Sequence, residues 1–281
     1  MRILLVGGTG FIGRELYKAL KDKHDVTASA HARVPNRMRW TYMDITQRQA
    51  VDVSGFDLVY HLAAYGLPPK NRETNLRLLY QTNVLGTINV MEECLRRKVR
   101  CVLVSSYSAK YLDSNYSVSK RAQEQIAKNF IKRGLDCIIV RLSSLYGPNQ
   151  PEGFIVPDFT KKIQKNPKLL ILRGSGKDVR NFMYIEDAVD ALISLGMKGN
   201  RNKIYELGSD DEITTLELAK RLCKVMGVKP RIEVEKPVNV SPSTYSINKG
   251  SNFFINNERN WKAKWTLEKG LKEYLKKRNV N

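Results

Sequence analysis

The hydrophobic pattern of the first 142 residues alternates between two periods. Short, almost continuous apolar runs are followed by longer segments in which apolar residues recur every three or four positions. The short runs are typical of buried strands and the longer period is typical of amphipathic helices. The pattern predicts strands at Arg2–Val6, Asp25–Ala30, Asp57–Leu62, Arg100–Ser105 and Asp136–Leu142, and helices at Phe11–Lys21, Thr74–Arg97 and Asn115–Arg133.

Helices that connect short apolar strands are typical of a parallel sheet covered on both faces. We therefore expect an α/β fold with a Rossmann-type, doubly wound parallel sheet. After the loop Gly147–Pro151 the pattern becomes shorter and less regular. We place a domain boundary there. It separates a first domain, residues 1–150, from a smaller C-terminal α/β lobe, residues 151–281, interleaved with the first around 175–205. The lobe is expected to contain helices near Glu186–Gly196, Leu216–Met226 and Leu267–Lys276.

A glycine-rich turn joins the first strand to the first helix, in the run Gly7-Gly8-Thr9-Gly10-Phe11-Ile12-Gly13. Gly7 lets the chain turn sharply off the strand, Gly10 lets the backbone approach a pyrophosphate, and Gly13 lets the helix pack close to the sheet. The helix N-terminus, opened by Phe11 and Ile12, presents N–H groups and a positive dipole end to phosphates. The position of this turn predicts a dinucleotide-binding domain.

The residues that follow the second strand bear on the choice between NAD and NADP. A carboxylate there would bind the adenosine 2′-hydroxyl, whereas a basic residue would tolerate a 2′-phosphate. The chain has Ala30-His31-Ala32-Arg33 and no acid, so we expect NADP through Arg33, with NAD as the alternative. Asp44 has two interpretations: it contacts the adenine, or it caps the helix that follows.

A second motif, Tyr116-Ser117-Val118-Ser119-Lys120, follows the strand that ends in Ser105-Ser106. Tyr116 and Lys120 are four residues apart, so a helix places them on one face. A tyrosine has a pKa near 10, and a neighbouring ammonium would lower it enough for proton transfer. Ser106 is the candidate that polarises the substrate oxygen, with Ser105 and Ser108 as alternatives. Together with the glycine turn, this motif predicts a nicotinamide-dependent oxidoreductase.

Composition narrows the class of protein. A hydrophobic content of 42% and a charged content of 27% are ordinary for a globular domain. No apolar stretch approaches the roughly 18 residues of a membrane span, and we recognise no signal peptide before the first strand. The four cysteines lack paired or metal-like spacing. We expect reduced thiols, a cytoplasmic location, no membrane partner and no metal site.

The formal net charge of +20 is unusual and has three interpretations. It reflects a lysine-rich solvated surface, a diphosphate-bearing ligand, or a polyanionic partner such as nucleic acid. We favour the solvated surface and expect no nucleic-acid partner. A non-catalytic NADP-binding or nucleic-acid-binding protein on the same fold remains the alternative from another class.

Several segments, taken with these two motifs, resemble the extended short-chain dehydrogenase/reductase family, specifically its nucleotide-sugar epimerase/dehydratase branch. Besides the glycine turn and Tyr116–Lys120, the similar segments are His61-Leu62-Ala63-Ala64, Thr82–Thr87 with Asn83, Ser105-Ser106, Arg141–Pro148, Gly174–Gly176 and Arg180–Asp187. The resemblance implies a catalytic triad of Ser106, Tyr116 and Lys120. It also implies cofactor contacts from Leu62, Ala63, Ala64, Asn83 and Lys120, and a homodimer through helices Thr74–Arg97 and Asn115–Arg133.

The resemblance further implies a nucleoside-diphosphate sugar as substrate, gripped through its diphosphate by Arg180. Ser144 stands where the family often has a substrate-binding asparagine. The run Ser106-Tyr107-Ser108 lacks the acid–base carboxylates of the 4,6-dehydratases, so dehydration is not expected. The short segment between Ser106 and Tyr116 is similar to that of 4-keto-deoxysugar reductases. We therefore expect such a reductase acting at C4, with an NAD-dependent 4-epimerase as the alternative.

Overall fold

In the computed structural model the described residues are 1–31, 38–66, 75–111, 113–209, 212–235 and 261–278. They form two compact units. The described residues within 1–68, 73–142 and 188–207 make up the first unit. Those within 143–187 and 208–281 make up the second unit. The expected domain boundary near residue 150 stays a prediction.

A seven-stranded parallel sheet forms the centre of the first unit, with strand order β10-β6-β5-β4-β1-β2-β3. The expected doubly wound parallel sheet is confirmed. The strands of the described chain are β1 (Arg2–Val6), β2 (Asp25–Ala30), β3 (Trp40–Tyr42), β4 (Leu58–His61), β5 (Arg100–Ser106), β6 (Cys137–Leu142), β7 (Ser144–Tyr146), β8 (Leu169–Arg173), β9 (Val179–Tyr184), β10 (Ile204–Leu207), β11 (Glu212–Thr214) and β12 (Arg231–Glu235).

The strand order reverses between β1 and β4. The chain runs outward from β1 to β3, returns to the other side of β1, and continues outward through β4, β5, β6 and β10. Loops that leave neighbouring strands in opposite directions open a crevice at their carboxyl ends, where ligands of doubly wound folds bind. The turn after β1 and the segment after β4 flank this point.

The helices are α1 (Phe11–Leu20), α2 (Leu76–Tyr80), α3 (Gly86–Arg97), α4 (Ser108–Tyr111), α5 (Asn115–Lys132), α6 (Ile155–Lys165), α7 (Ile185–Lys198), α8 (Thr215–Val225) and α9 (Leu267–Arg278). A 3₁₀ turn covers Arg48–Ala50. The helix expected at Thr74–Arg97 differs from the prediction. It is interrupted by a π-helical segment at Gln81–Leu85, and Thr74 lies outside the described residues.

The core of the first unit lies between the sheet and its helices. Ile3, Leu4, Leu5 and Val6 of β1 are fully buried, as a central parallel strand requires. Val90, Met91 and Cys94 of α3, and Ala127 and Phe130 of α5, belong to one hydrophobic cluster with β1, β4, β5 and β6. Packing α3 and α5 on the same face fixes α5 beside the carboxyl half of β5.

The second unit has two small sheets. β9 pairs with β7 in parallel and with β11 in antiparallel orientation, and β8 pairs with β12 in parallel. Tyr184 packs its ring 5.5 Å from Tyr146 and 4.7 Å from Trp265. The Asp187 carboxylate accepts hydrogen bonds from the backbone N–H groups of Lys264 and Trp265. These contacts hold the segment before α9 against the sheet.

Among the described residues, no helix combines the length and apolar composition that crossing a membrane requires.

Candidate active site

The glycine turn after β1 is packed so closely that its first and last glycines have no room for a side chain. Gly7 has a φ of +80° and a Cβ there would lie 2.7 Å from the Cα of Ala63. A Cβ on Gly13 would lie 2.6 Å from the backbone of Gly8. Close approach of the chain therefore requires glycine at both positions.

Gly10 is different, because nothing in the described protein crowds it. A Cβ there would meet only the carbonyl oxygen of Gly7, at 3.4 Å. Gly10 is the N-cap of α1, and no side chain caps the helix. The first turn of α1 thus offers backbone N–H groups and a positive dipole end on an open side. This arrangement fits the pyrophosphate of a dinucleotide cofactor.

The segment after β4 lies against the glycine turn. Leu62 N–H donates to the Val6 carbonyl at 2.9 Å, which continues the pairing of β4 with β1. Ala63 approaches Gly7, and Ala64 is exposed. Leu62, Ala63 and Ala64 therefore lie beside the turn at the point where the strand order reverses.

Asn83, in the π-helical segment, has a fully used side-chain amide. Its Oδ1 accepts from the Tyr65 N–H at 2.7 Å, and its Nδ2 donates to the Tyr65 carbonyl at 3.1 Å and to Ser119 Oγ at 2.9 Å. The side chain is fully buried. Asn83 thus fixes the backbone just after Ala63 and Ala64 and ties it to α5. The sequence motif indicated this residue but not its partners.

Arg33, the residue expected to select NADP, lies outside the described residues. The carboxyl end of β2 carries Ser29 and Ala30, and Ser29 Oγ accepts the N–H of Gly7 at 3.2 Å. Both carboxylate oxygens of Asp44 are used locally. They accept from Thr46 N–H at 2.9 Å, Thr46 Oγ1 at 2.7 Å and Gln47 Nε2 at 3.1 Å. These contacts close a turn over residues 44–47. Asp44 does not cap the 3₁₀ turn that follows, whose N-cap is Gln47 without a side-chain hydrogen bond.

Ser106 is the last residue of β5 and remains partly accessible. Its Oγ accepts from Ser108 N–H at 3.2 Å and from Ser108 Oγ at 2.9 Å. With both acceptor positions used, the Ser106 hydroxyl proton is the part of the group that can serve another oxygen. The hydroxyl protons of the two alternative serines are already used. Ser105 donates to Glu124 at 2.6 Å, and Ser108 donates to Ser106.

Helix α5 carries Tyr116 and Lys120 one turn apart and begins at the N-cap Ser114. Lys120 is buried, and its Nζ donates to the Val104 carbonyl of β5 at 2.8 Å. Tyr116 is half-buried. The Lys120–Val104 hydrogen bond therefore docks the face of α5 that carries both side chains onto the strand that ends in Ser106.

Burial controls the proton affinities of this pair. It lowers the pKa of Lys120 to about 8, and the charge of Glu124 opposes part of that change. It raises the pKa of Tyr116 to about 12. Desolvation of the phenolate causes this increase. That the Lys120 ammonium and an oxidised nicotinamide ring together lower the pKa of Tyr116 stays a prediction. Tyr116 is a phenol at neutral pH.

A buried polar network that the sequence did not reveal lies behind this pair. His61 Nε2 lies 2.9 Å from Thr87 Oγ1, which also accepts from Gln123 Nε2 at 2.6 Å and donates to the Asn83 carbonyl at 2.7 Å. Burial and then Lys120 lower the pKa of His61 to about 3, so its ring is neutral. The described residues contain no group of three His, Cys, Asp or Glu side chains placed to hold a metal.

The two expected substrate-binding residues belong to the second unit. Ser144 opens β7, where it pairs with Phe182, and Arg180 lies on β9, where it pairs with Ile213. Both are partly buried. Of the expected site residues, the structure therefore groups the glycine turn, Leu62–Ala64, Asn83, Ser106, Tyr116 and Lys120 within the first unit.

Comparison with curated proteins finds distant relatives over most of the chain. A dTDP-D-glucose 4,6-dehydratase from Dictyostelium discoideum is 27% identical over 270 residues, which cover 80% of this chain and 62% of the relative. A UDP-glucuronic acid decarboxylase from Arabidopsis thaliana is 28% identical over 307 residues, which cover 96% of this chain and 87% of the relative. The chain thus spans less than two thirds of the Dictyostelium protein.

Solved structures of similar fold match the whole chain. A dTDP-glucose 4,6-dehydratase from Bacillus anthracis in complex with NAD aligns with a TM-score of 0.83 at 22% identity, over 100% of this chain and 97% of that one. A UDP-glucuronic acid 4-epimerase from Bacillus cereus, in complex with UDP-glucuronic acid and NAD, aligns with a TM-score of 0.83 at 21% identity, over 100% and 99%. At these identities the likeness establishes the fold.

The NAD dependent epimerase/dehydratase family matches residues 3–208. This range includes the glycine turn, Leu62–Ala64 after β4, Ser105-Ser106 at the end of β5, and Tyr116–Lys120. The resemblance stated from the sequence is confirmed, and this chain belongs to the NAD dependent epimerase/dehydratase family.

Proposed function

We propose that this chain is an NAD(P)-dependent oxidoreductase that transfers a hydride at a ring carbon, C4, of a nucleoside-diphosphate sugar. One observation carries the proposal. The Lys120–Val104 hydrogen bond docks the face of α5 that carries Tyr116 onto β5, whose last residue is Ser106. A phenol, an ammonium and a hydroxyl are thereby held on adjoining elements of the family fold.

Each of the three residues has a role that its surroundings support. Bound NAD(P) supplies the hydride donor or acceptor. Ser106 donates its free hydroxyl proton to the reacting oxygen of the sugar. Tyr116 gives or takes the proton of that oxygen. Lys120 would hold the nicotinamide ribose, and its positive charge would stabilise the phenolate when it forms.

A phenol at Tyr116 is compatible with the reduction of a ketone. Burial raises the pKa of Tyr116 to about 12, so the side chain is a proton donor at neutral pH. A ketone that accepts a hydride needs a proton donor, whereas an alcohol that loses a hydride needs a base. We propose that the net reaction is the reduction of a 4-keto-6-deoxy sugar, because the short segment between Ser106 and Tyr116 is similar to that of 4-keto-deoxysugar reductases.

The segment between Ser106 and Tyr116 supports reduction rather than dehydration. Its one carboxylate is Asp113, which pairs with Arg121 at 2.8 Å and whose side chain is 95% exposed. A solvated carboxylate in an ion pair is a poor general acid. This segment therefore supplies no buried acid–base carboxylate for the elimination of water.

A 4-epimerase is the second candidate, because the chain belongs to a family named for epimerases and dehydratases. An epimerase would keep its cofactor bound and return the hydride to the other face of the same ketone. A reductase would release the oxidised cofactor after each turnover. Retention of the cofactor therefore separates the two candidates.

We propose NADP as the cofactor of this reductase. The carboxyl end of β2 has the sequence Ser29-Ala30-His31, without the carboxylate that would bind an adenosine 2′-hydroxyl. Arg33 would then meet the 2′-phosphate. The Bacillus dehydratase and epimerase structures hold NAD, so NAD is the alternative.

We further propose that Arg180 binds the diphosphate, because its planar guanidinium suits bidentate contact with phosphate oxygens. Ser144 would contact the same ligand. A homodimer would form through α2, the π-helical segment and α5, where Leu76, Leu78, Leu85 and Val118 are exposed. The four buried, unbridged cysteines support a reducing compartment such as the cytoplasm.

The test is a thermal-shift panel with NAD, NADP and NADPH, alone and paired with UDP-, GDP-, CDP- and dTDP-sugars, followed by turnover of the pairs that shift. Stabilisation by NADPH with one class of nucleotide sugar, and release of oxidised cofactor, would support the reductase. NAD that stays bound through gel filtration and supports sugar inversion would favour the epimerase. No shift with any nucleotide sugar would refute the proposal.

A further inference from the structure

An ion pair with a buried carboxylate lies one helical turn from the proposed catalytic lysine. Glu124 follows Lys120 by one turn of α5, and its side chain is 3% exposed. Its Oε1 accepts from Arg141 Nε at 2.9 Å, and its Oε2 accepts from Arg141 Nη2 at 2.6 Å. Two parallel hydrogen bonds to one guanidinium fix the carboxylate in position as well as in charge.

The same carboxylate is tied to the end of β5. Ser105, the neighbour of Ser106, donates to Glu124 Oε1 at 2.6 Å. Arg141 lies on β6 and pairs with Ser105 in the sheet register. Glu124 thus connects α5, which carries the tyrosine and the lysine, to the two strands on which the helix packs.

The network continues away from the site and ends at the surface. Arg141 Nη1 donates to Glu206 Oε1 of β10 at 2.7 Å, and Lys110 Nζ of α4 reaches the same carboxylate at 3.1 Å. The hydrogen bonds that Arg141 donates to Glu124, followed by the one that it donates to Glu206, raise the pKa of Arg141 above its usual value. Arg141 is therefore shared between two carboxylates, and Glu124 is the one on the helix of Lys120.

Stability alone does not require such a pair. Removing two charges from water costs about as much as their attraction returns, and apolar side chains of the same size often stabilise a core equally well. A second role is indicated by Lys120, whose buried ammonium has little water to stabilise it. Glu124 supplies a buried negative charge from the same face of the helix, one turn after Lys120.

We propose that Glu124 is a positioning residue that acts through Lys120: held by Arg141 and Ser105, its carboxylate keeps the buried Lys120 side chain in the ammonium form beside Tyr116. The effect of Glu124 on the charge of Lys120 stands independently of substrate. Only its consequence for turnover rests on the proposed function.

The other titratable groups around Lys120 do not replace this charge. Tyr116, on the same helix, is a neutral phenol, and His61 of β4 is a neutral ring. Arg141 of β6 and Lys110 of α4 are cations. Among these groups Glu124 is therefore the one that favours the charged lysine, and it raises the pKa of Lys120 against the effect of burial.

The experiment measures the protonation of Lys120 directly, by NMR of protein labelled with 13C at the lysine ε-carbon. The Lys120 resonance is assigned by its loss in Lys120→Met. The wild-type midpoint is expected near pH 8. In Glu124→Gln, which keeps the shape and removes the charge, the midpoint should fall by about one to two pH units.

Three further variants separate charge from structure. Glu124→Asp keeps the charge and loses the bidentate geometry, so the midpoint should stay within about half a unit while the melting temperature falls. Asp136→Asn breaks the comparable Arg100–Asp136 pair, which joins the amino ends of β5 and β6 at 3.3 Å, and should leave the midpoint unchanged. If Glu124→Gln does not fold, Glu124→Gln combined with Arg141→Met removes the pair without leaving an unpaired charge, and it should still lower the midpoint because Glu124 is the charge that raises it.

An unchanged midpoint in Glu124→Gln, or equal shifts in Glu124→Gln and Asp136→Asn, would overturn the inference. The alkaline limb of kcat, measured with the nucleotide sugar found by the ligand panel, should move with the midpoint. Absence of turnover in wild-type protein that shows the expected midpoints would refute the proposed function and leave the role of Glu124 intact.

Discussion

Two alanine substitutions in the glycine turn should have opposite consequences. In Gly13→Ala the new Cβ would lie 2.6 Å from both the Cα and the carbonyl oxygen of Gly8, about 0.8 Å short of the 3.4 Å at which ordinary contact begins. The obstacle is the backbone of Gly8, so α1 has to move away from the turn. Overpacking of this kind costs about 1 to 3 kcal/mol.

Gly10→Ala meets no such obstacle in the protein. Gly10 has a φ of −73° and a ψ of 177°, which alanine adopts freely, and its Cβ would lie 3.4 Å from the Gly7 carbonyl oxygen. Alanine is a poorer N-cap than glycine, which lowers the free energy of unfolding, but it also reduces the entropy of the unfolded chain, which raises it. The net change in the free energy of unfolding should stay within about 1 kcal/mol. The added methyl group occupies the side from which a pyrophosphate would approach, so cofactor affinity should fall at least about tenfold.

The assay is thermal unfolding without ligand and calorimetric titration with NADP and NAD, both at pH 7. For a chain of 281 residues, Gly13→Ala should lower Tm by about 2 to 5 °C, and Gly10→Ala should change it by less than about 2 °C. Gly10→Ala should be the variant that loses affinity at unchanged stability. Normal cofactor binding by Gly10→Ala would refute the placement of the pyrophosphate at this turn.

Four further predictions concern the site. Tyr116→Phe removes only the transferable proton, so kcat should fall about 10²- to 10⁴-fold at unchanged cofactor affinity; near-normal kcat would contradict the assignment. Lys120→Met should weaken both cofactor affinity and rate. It should also be more stable than wild type at pH 7, because burial disfavours the charged lysine. The pKa of Lys120 is about 8 in the folded state and 10.5 in the unfolded state, so the stability of the wild-type protein rises between these pH values. In urea titrations the difference in unfolding free energy between the variant and the wild type should therefore shrink by about 3 kcal/mol. A constant difference from pH 7 to 10.5 would exclude a lowered pKa. Asn83→Ala should cost about 3 kcal/mol in urea unfolding, because it strips the Tyr65 backbone groups and Ser119 of their partner, and an effect below about 1 kcal/mol would show that this clamp is weak. Arg33→Asp should weaken NADP binding selectively, whereas equal losses for NAD and NADP would argue against contact with the 2′-phosphate.

The sequence predicted the central sheet well because its strands are buried on both faces. Continuous apolar runs such as Ile3–Val6 are specific for that environment, and the strands at Arg2–Val6 and Asp25–Ala30 end where the pattern indicated. β3, with the sequence Trp40-Thr41-Tyr42, was not predicted. It is an edge strand of three residues with two exposed aromatic side chains, so it has no apolar run.

The π-helical segment at Gln81–Leu85 could not be predicted from periodicity. Its one fully buried polar side chain, Asn83, is satisfied by a backbone segment 18 residues earlier in the chain. Such a contact leaves no trace in the local pattern. The short strands of the second unit have the same difficulty, because partners such as Asn181 and Glu212 are distant in sequence.

The candidate site was predicted where a residue type and its spacing carry the chemistry. Tyr116 and Lys120 follow from a four-residue interval. Gly7 and Gly13 follow from a turn that excludes side chains, and Gly10 follows from the need to leave room for a pyrophosphate. Glu124 was not singled out, because a glutamate on a helix is usually exposed. Its role depends on Arg141, which only the packing of α5 on β6 brings to it.

Transfer of deuterium is the most direct test of hydride chemistry at the sugar. The protein is incubated with NADPH deuterated at C4 and with each dTDP-, UDP-, GDP- and CDP-linked 4-keto-6-deoxy sugar, and the products are analysed by mass spectrometry beside Tyr116→Phe at equal cofactor occupancy. We expect one deuterium at C4 of one nucleotide sugar, one oxidised cofactor per product, and a product yield at least about 100-fold lower for Tyr116→Phe. Cofactor binding without deuterium transfer to any of these sugars, or equal transfer by Tyr116→Phe, would contradict the account.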